Sequence, residues 1–320
     1  MKLRKKWLFI ALFAPISIIG KAQVTYFGKE LANSQKLEVL EQTTTLFTLQ
    51  YKNYAELEKF DQAIKSVWTV SPFKIIKPEE LVKYDTTSKY SFFSFDAFAD
   101  KQDTIINTNI IYSLKLITPS ATPKKKDINV LGYITLFPDM YTSLTAKAQG
   151  ENLGDTRAQK RKLLDGFYNY SIFFNWSPGL LAGYLKQIND GLLYGQSRSI
   201  DFQFYNKVRV PELAKETLYV PEYVRQLFSA QKQTAKPSLE IQPPYNYKLK
   251  FLPTEQLDSL LLNPNSGIKY LVYTQRSSDK IISIYDSRDR QIIYQIFSFQ
   301  YPYFEMDDLN NIKKVINSIK

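Results

Sequence analysis

The sequence predicts an α+β protein made of two related α/β units with mixed or antiparallel sheets, bridged by a central helical pair. Three observations lead there. Apolar residues recur at three-to-four-residue spacing in several stretches. The cleanest is 178–192, where Leu180, Leu181, Tyr184, Leu185, Ile188 and Leu192 make one stripe. Other stretches alternate β-branched or aromatic residues with polar ones, the period of a half-buried strand. Finally, one order of elements occurs twice. Phe73-Lys74-Ile75-Ile76, Pro78-Glu79-Glu80-Leu81 and Ser88-Lys89-Tyr90-Ser91-Phe92 are echoed by Leu249-Lys250-Phe251-Leu252, Thr254-Glu255-Gln256-Leu257 and Ile268-Lys269-Tyr270-Leu271-Val272. Each block follows an amphipathic helix (54–67 and 221–228) and precedes a pair of strands. Units that each bury one face on a shared helix would place the 178–192 helix between them.

Taken in order, 23–40 is a lead-in with weak helical character over 31–39. The β-branched and aromatic run 43–51 predicts a strand. Leu57, Phe60, Ile64 and Trp68 share one face of a helix over 54–67, with Trp68 as an aromatic lid on the core. Strands are expected at 73–76, 89–95, 110–116 and 130–137, with a short helical turn at 78–81. Alternation in the last three suits an antiparallel meander with one wet face. The Pro/Ser/Lys stretch 119–126 reads as an exposed loop. A helix over 156–170, with Asp155 near its start, precedes the one at 178–192. In the latter, Ser177 offers an oxygen to the free amides of the first turn and Pro178 sits where its missing N–H costs nothing. Gly191 and Gly195 act as stop signals. Beyond it, 199–205 alternates like a strand, 220–228 reads as a helix opened by proline, and the proline-bearing 231–245 as a linker. A strand at 248–252, a helix at 254–261, a strand at 268–275 and a hairpin with arms 280–285 and 291–297 follow. A final helix starts near 307.

The amino terminus reads as an export signal. Lys2, Arg4, Lys5 and Lys6 precede an apolar run over 7–19, and Gly20-Lys21-Ala22 places small residues at the two positions a signal peptidase reads. The run is shorter than the roughly 20 apolar residues of a membrane span. The expectation is therefore an exported chain, periplasmic or secreted, cleaved after Ala22 and without a transmembrane span once the signal is removed. An uncleaved anchor is the alternative. The expected organisation is signal peptide 1–22, first α/β unit 23–150, helical connector 151–232 and second α/β unit 233–320. The signal carries five of the 42 basic side chains and none of the 31 acidic ones, so its removal lowers the net charge from +11 to +6. That mild excess favours solubility and loose attraction to anionic surfaces. In an exported chain it does not point to nucleic acid.

The chain contains no histidine and no cysteine. This removes Ser-His and Cys-His nucleophile pairs and imidazole- or thiolate-bound metals, and leaves carboxylates, Lys, Tyr and hard cations on oxygen ligands. No metal or cofactor site is assigned. Asp96, Asp100 and Asp103 cluster after a strand but lack the alternating ligands, glycine and closing glutamate of a calcium loop. The acid pairs Glu79/Glu80 and Asp307/Asp308 sit in first turns of helices, where negative charge is favoured anyway. Arg157, Lys160, Arg161 and Lys162 form a basic cluster that reads either as a solvated helix face or as a patch for an anionic partner such as a cell-wall polymer or lipid head groups. The aromatic run 167–176, with Tyr168 and Trp176, is core if buried and could stack on sugar rings or dock a partner if exposed. The possible contact surface is thus Arg157, Lys160, Arg161, Lys162, Tyr168 and Trp176.

The signal ending in Lys21-Ala22-Gln23, the Tyr/Lys/Ile/Asn-rich composition and phrases such as Trp176-Ser177-Pro178-Gly179-Leu180-Leu181 and Thr217-Leu218-Tyr219-Val220-Pro221-Glu222-Tyr223 resemble exported proteins of unknown function from low-GC Gram-negative bacteria. The strand–helix–strand units are loosely similar to the amino-terminal domain of periplasmic TolB-type proteins. No catalytic motif comes with either resemblance, so no functional residue is carried over. The leading expectation is a non-catalytic exported protein that contacts an envelope protein or cell-wall polymer. The alternative is a carbohydrate-binding or carboxylate-type glycan-cleaving protein. Three helical segments and a helical carboxyl end argue against an outer-membrane barrel.

Overall fold

In the computed structural model the residues described are 23–319, apart from 33–34, 85–88, 103–104, 120–125, 151–156, 199–202, 230–233, 238–244, 277 and 300. The expected signal, most of the 119–126 loop, Asp103 and Asp155 lie outside the described residues. The first part of the chain runs β1 (Val24–Phe27), α1 (Gly28–Ala32), α2 (Lys36–Glu41), β2 (Thr44–Thr48), a 3-10 turn (Tyr51–Glu56), α3 (Leu57–Lys65), β3 (Phe73–Ile76) and a second 3-10 turn (Pro78–Lys83). Three long strands follow, β4 (Tyr90–Gln102), β5 (Ile105–Pro119) and β6 (Lys126–Thr135), then α4 (Met140–Gly150), α5 (Arg157–Asn169), α6 (Pro178–Leu193) and β7 (Ser197–Arg198). Its strands form one sheet in the order β3-β2-β4-β5-β6-β1-β7.

The second part runs β8 (Phe204–Tyr205), a 3-10 turn (Val210–Ala214), β9 (Leu218–Pro221), a 3-10 turn (Glu222–Arg225), the hairpin β10 (Gln226–Ser229) and β11 (Thr234–Pro237), then β12 (Leu249–Leu252), α7 (Thr254–Leu262), β13 (Lys269–Gln275), β14 (Asp279–Asp286), β15 (Gln291–Phe299) and α8 (Met306–Ile319). Its main sheet has the order β12-β9-β13-β14-β15-β8. The α+β class with two sheets therefore stands. The expected helix at 220–228 does not form. Leu218 and Val220 are buried on β9 between β12 and β13, so Pro221 ends a strand instead of opening a helix. Within the expected connector 151–232, β7 joins the first sheet and β8 and β9 the second. β1 and α4 are additional to the elements expected from periodicity.

Six strands of each sheet share one order and sense. β2 and β9 are each parallel to both neighbours, and the remaining pairings, ending in β6–β1 and β15–β8, are antiparallel. The ladders can be followed from Phe73 and Leu249, which the sequence already aligns. Phe73 faces Thr45, Thr45 faces Ser91, and Ser91 faces Leu116. Leu249 faces Leu218, Leu218 faces Lys269, and Lys269 faces Asp286. On this register Ser91, not Lys89, occupies the position of Lys269, two residues from the sequence alignment. The register shift between Leu114 and Lys115 then falls on the same rung as the one between Ile284 and Tyr285.

The layers show how the units stack. Phe47, Phe93 and Tyr112 of the first sheet meet Tyr270, Val272 and Tyr285 of the second across a core that contains Phe60 of α3, Leu181 and Leu185 of α6 and Leu257 of α7. Leu271, Tyr273, Ile282 and Ile284 on the far face of the second sheet pack on Ile312 and Ile316 of α8. In the first unit α3 faces the central core, whereas Leu81 of the following 3-10 turn packs on the opposite face with Leu46, Ile76 and Phe92. In the second unit Tyr223 of the 3-10 turn faces outward and α7 inward. Crossovers of one hand require this alternation when the chain steps to one side and then back. The units are therefore stacked head to tail, and α6 is to the first what α8 is to the second. The partner expected for α6, α5, instead packs along β4 and the 51–56 turn.

Leu181, Leu185 and Ile188 are fully buried, and Ser177 Oγ accepts the Leu180 N–H at 3.3 Å. Gly191 lies within α6, where a Cβ would stand 2.2 Å from the Tyr26 ring, so it permits a close approach and does not stop the helix. Gly195, at φ +58°, ends the helix, and Gln196 N–H returns to Gly191 O at 2.8 Å. Polar ties close the seam between the units. Gln23 Nε2 donates to Thr135 O at 2.7 Å, and Asn175 Nδ2 reaches both Thr135 O and Thr274 Oγ1 at 3.0 Å. Thr274 Oγ1 donates to Gln23 Oε1.

Candidate contact surface

The structure divides the six expected contact residues. Lys160 is buried and reaches Asp96 at 3.0 Å, beside Lys115, which lies 2.6 Å from the same carboxylate. Burial works against the charged form of Asp96, but the two ammonium groups outweigh it and hold its pKa below the ordinary value. Lys160 is thus a core ion-pair residue and not part of a basic surface. Tyr168 is buried, its hydroxyl 2.8 Å from Thr48 Oγ1 and its ring edge-on to Phe95. Trp176 is buried against Phe95 and Tyr112, with Nε1 donating to Asn53 Oδ1 at 3.0 Å. Neither presents a free ring, which settles the aromatic run 167–176 as core at Phe167, Tyr168, Phe173 and Trp176. Arg161 is half-buried and Lys162 exposed, while the side chain of Arg157 lies outside the described residues. With Lys160 buried, the described members of the cluster do not form one surface patch.

Other expected groups are also engaged locally. Glu80 Oε2 accepts Lys77 N–H at 3.0 Å, and Glu79 Oε2 accepts the Tyr51 hydroxyl at 2.6 Å. Asp308 accepts Lys280 Nζ and Glu305 N–H, both at 2.7 Å. Glu79, Glu80 and Asp308 thus cap turns and pair with neighbours. Among the described residues no group of three or more potential metal ligands occurs, and no helix is long and apolar enough to cross a membrane.

Among the described residues, the largest cluster of buried charge is in the second unit. Lys269 Nζ lies 2.8 Å from Asp286, 2.7 Å from Glu212 and 3.0 Å from Glu216, while Arg209 and Arg288 also contact Asp286. Burial lowers the pKa of Lys269, yet the three carboxylates outweigh it and hold the ammonium above the ordinary lysine value. A lysine kept protonated in this way serves as an ion-pair anchor, not as a nucleophile.

A different surface gathers exposed aromatic groups. Gln50 Nε2 donates to Phe167 O at 2.6 Å and to Ser171 O at 2.8 Å, and Lys52 Nζ donates to Ser171 O at 3.0 Å. Ile172 is tied to α4's start, with its O accepting Asp139 N–H at 2.9 Å and its N–H reaching Thr142 Oγ1 at 3.4 Å. The 170–172 segment is therefore fixed between the 51–56 turn and α4. From it Tyr170 is 60% exposed and Ile172 48%, and beside it Tyr51 is 38% exposed. The hydroxyl-side edge of Tyr170 approaches Gly166, where a Cβ would stand 3.3 Å from Cε2 and 3.7 Å from both Cζ and the hydroxyl oxygen. Lys52, Asp165 and Asn169 are exposed around this ledge. The sequence gives only the aromatic and aliphatic character of the run holding Tyr170 and Ile172 as a signal, since Tyr170 lies three residues from the buried Phe167, in helical phase with it. Tyr51 has no such signal, because only the fold brings it there. No protein-family model, curated protein or solved structure matches the chain.

Proposed function

We propose that this is a non-catalytic exported protein that works by contact with a component of the cell envelope, through the ledge formed by Tyr51, Lys52, Tyr170 and Ile172. The observation that carries this reading is the ledge itself. Large side chains are left in water on a backbone held by buried hydrogen bonds from Gln50, at a place where the neighbouring aromatics are packed away. Tyrosine supplies rigid, amphipathic contact area at low entropic cost. The signal-like amino terminus supports export, to periplasm or exterior.

The test is a recovery experiment in envelope fractions, using the full chain expressed with its own signal. The unaltered protein should sediment with or be cross-linked to an envelope component, and Tyr51→Ser/Tyr170→Ser should lose most of that recovery while retaining its thermal unfolding temperature. Equal recovery of both proteins, or none of either above background, would refute the contact reading.

A further inference from the structure

We infer that the ledge binds a glycan, with a pyranose ring seated on the open face of Tyr170; this rests on the contact function proposed above. Tyr170 is an exposed ring held at one edge. Gly166 leaves room for its hydroxyl-side edge beside α5, the nearest ring atom 3.3 Å from the position a Cβ would take, and the residue is 60% exposed. An aromatic face carries partial negative charge and suits the weakly positive C–H groups on the apolar side of a sugar. Tyr51 adds a second ring whose hydroxyl is anchored on Glu79 at 2.6 Å, and the Gln50 and Lys52 bonds to Ser171 O hold the two rings on one support.

The surroundings favour a sugar over the other occupants. Hydroxyl groups both donate and accept, and the exposed Lys52, Asp165 and Asn169 supply both kinds of partner. A lipid surface would be matched by cations around an apolar wedge, but Asp139, Asp165 and Glu79 stand near Lys52 and Tyr51. An amphipathic helix from a protein partner needs a groove of successive apolar anchors, whereas Ile172 is the aliphatic residue contributed here.

Affinity electrophoresis of the full chain without its signal, in gels containing soluble β-glucan, xylan, chitin oligosaccharides or solubilised peptidoglycan strands, tests this. At least one glycan should retard the protein. Tyr170→Ala should weaken that binding about tenfold, the scale of one lost stacking partner. Gly166→Ala, whose Cβ would displace the Tyr170 edge by only a few tenths of an ångström, should weaken it less than Tyr170→Ala does. Tyr194→Ala, which removes a 71% exposed ring just after the end of α6, should have no effect, and all three variants should unfold cooperatively. Retardation by none of the four glycans, or equal binding by Tyr170→Ala and the unaltered chain, would overturn the inference. Recovery of an envelope protein alongside failure in every gel would leave the contact function standing and remove only its glycan ligand.

Discussion

At one rung the two sheets can be compared residue by residue. In the first sheet the rung reads Thr45, Ser91, Leu116, and in the second Leu218, Lys269, Asp286. Around Ser91 runs a chain of buried hydroxyls, with Thr43 Oγ1 at 3.0 Å, Thr45 Oγ1 at 2.8 Å and Ser71 Oγ 2.5 Å further on from Thr45. Around Lys269 stand three carboxylates and, through Asp286, two guanidinium groups. In each unit one member of the network comes from the segment before the strand next to the edge, Thr43 before β2 and Glu212 before β9. Strand order and bulge position are thus maintained while the interior chemistry changes from neutral to ionic. Backbone pairing sets the framework, and what fills the rung needs only internal satisfaction.

The sharpest way to break this comparison is to disable the same rung on each side. Lys269→Met leaves Asp286 buried with an incomplete set of partners and should lower stability by about 3 kcal/mol. Ser91→Ala removes one neutral hydrogen-bonding group and should cost about 1 kcal/mol. Urea midpoints measure both, and equal losses would show that the two networks do not differ in the way described.

The next effect concerns acid. Burial raises the pKa of Asp286 and of Glu212, but the surrounding cations outweigh it in both and leave them below their ordinary values. Their stabilisation is therefore fully present above about pH 4, where the unfolded carboxyls are ionised, and is lost as pH falls through the folded pKa. Asp258 and Asp308, raised mainly by burial, contribute with the opposite sign. Asp286→Asn should flatten the decline in urea midpoint between about pH 5 and pH 3, whereas Ser91→Ala should leave that slope unchanged. An unaltered slope in Asp286→Asn would show that acid sensitivity lies elsewhere.

The smallest effect is at the edges. β3 and β12 are equivalent four-residue edge strands, and each carries an exposed lysine, Lys74 or Lys250, at its second position. Charge on a short edge strand discourages pairing with another chain. Lys74→Val and Lys250→Val should each change stability by less than about 0.5 kcal/mol, yet increase self-association in analytical ultracentrifugation. A monomeric Lys74→Val/Lys250→Val variant would show that the edges are guarded by something other than charge.

Much of this architecture was legible because periodicity is local. Leu181, Leu185 and Ile188 announce α6, 73–76 announces its strand to the residue, and 248–252 announces β12 to within one residue. Lys160 was also within reach, since it lies in phase with Leu163 and Phe167 on the buried face of α5. Its lysine neighbours obscured that. β9 was obscured by Pro221, a residue that opens helices and equally well ends strands. The ledge could not have been read in full. Its geometry depends on Gln50 bonding to Ser171, a contact across 121 residues that no window of sequence contains.

The seam at Gln23 has a consequence for the order in which this chain matures. Its side-chain partner Thr274 lies 251 residues later, so a chain emerging amino terminus first must hold that site incomplete until nearly all of it has been delivered. During that interval Tyr270 and Tyr285 have not yet arrived to cover the central helix. Closing such a distant pair costs configurational entropy and slows acquisition of the native state. The burden falls on whatever shields the half-delivered polypeptide from proteases and from its own neighbours.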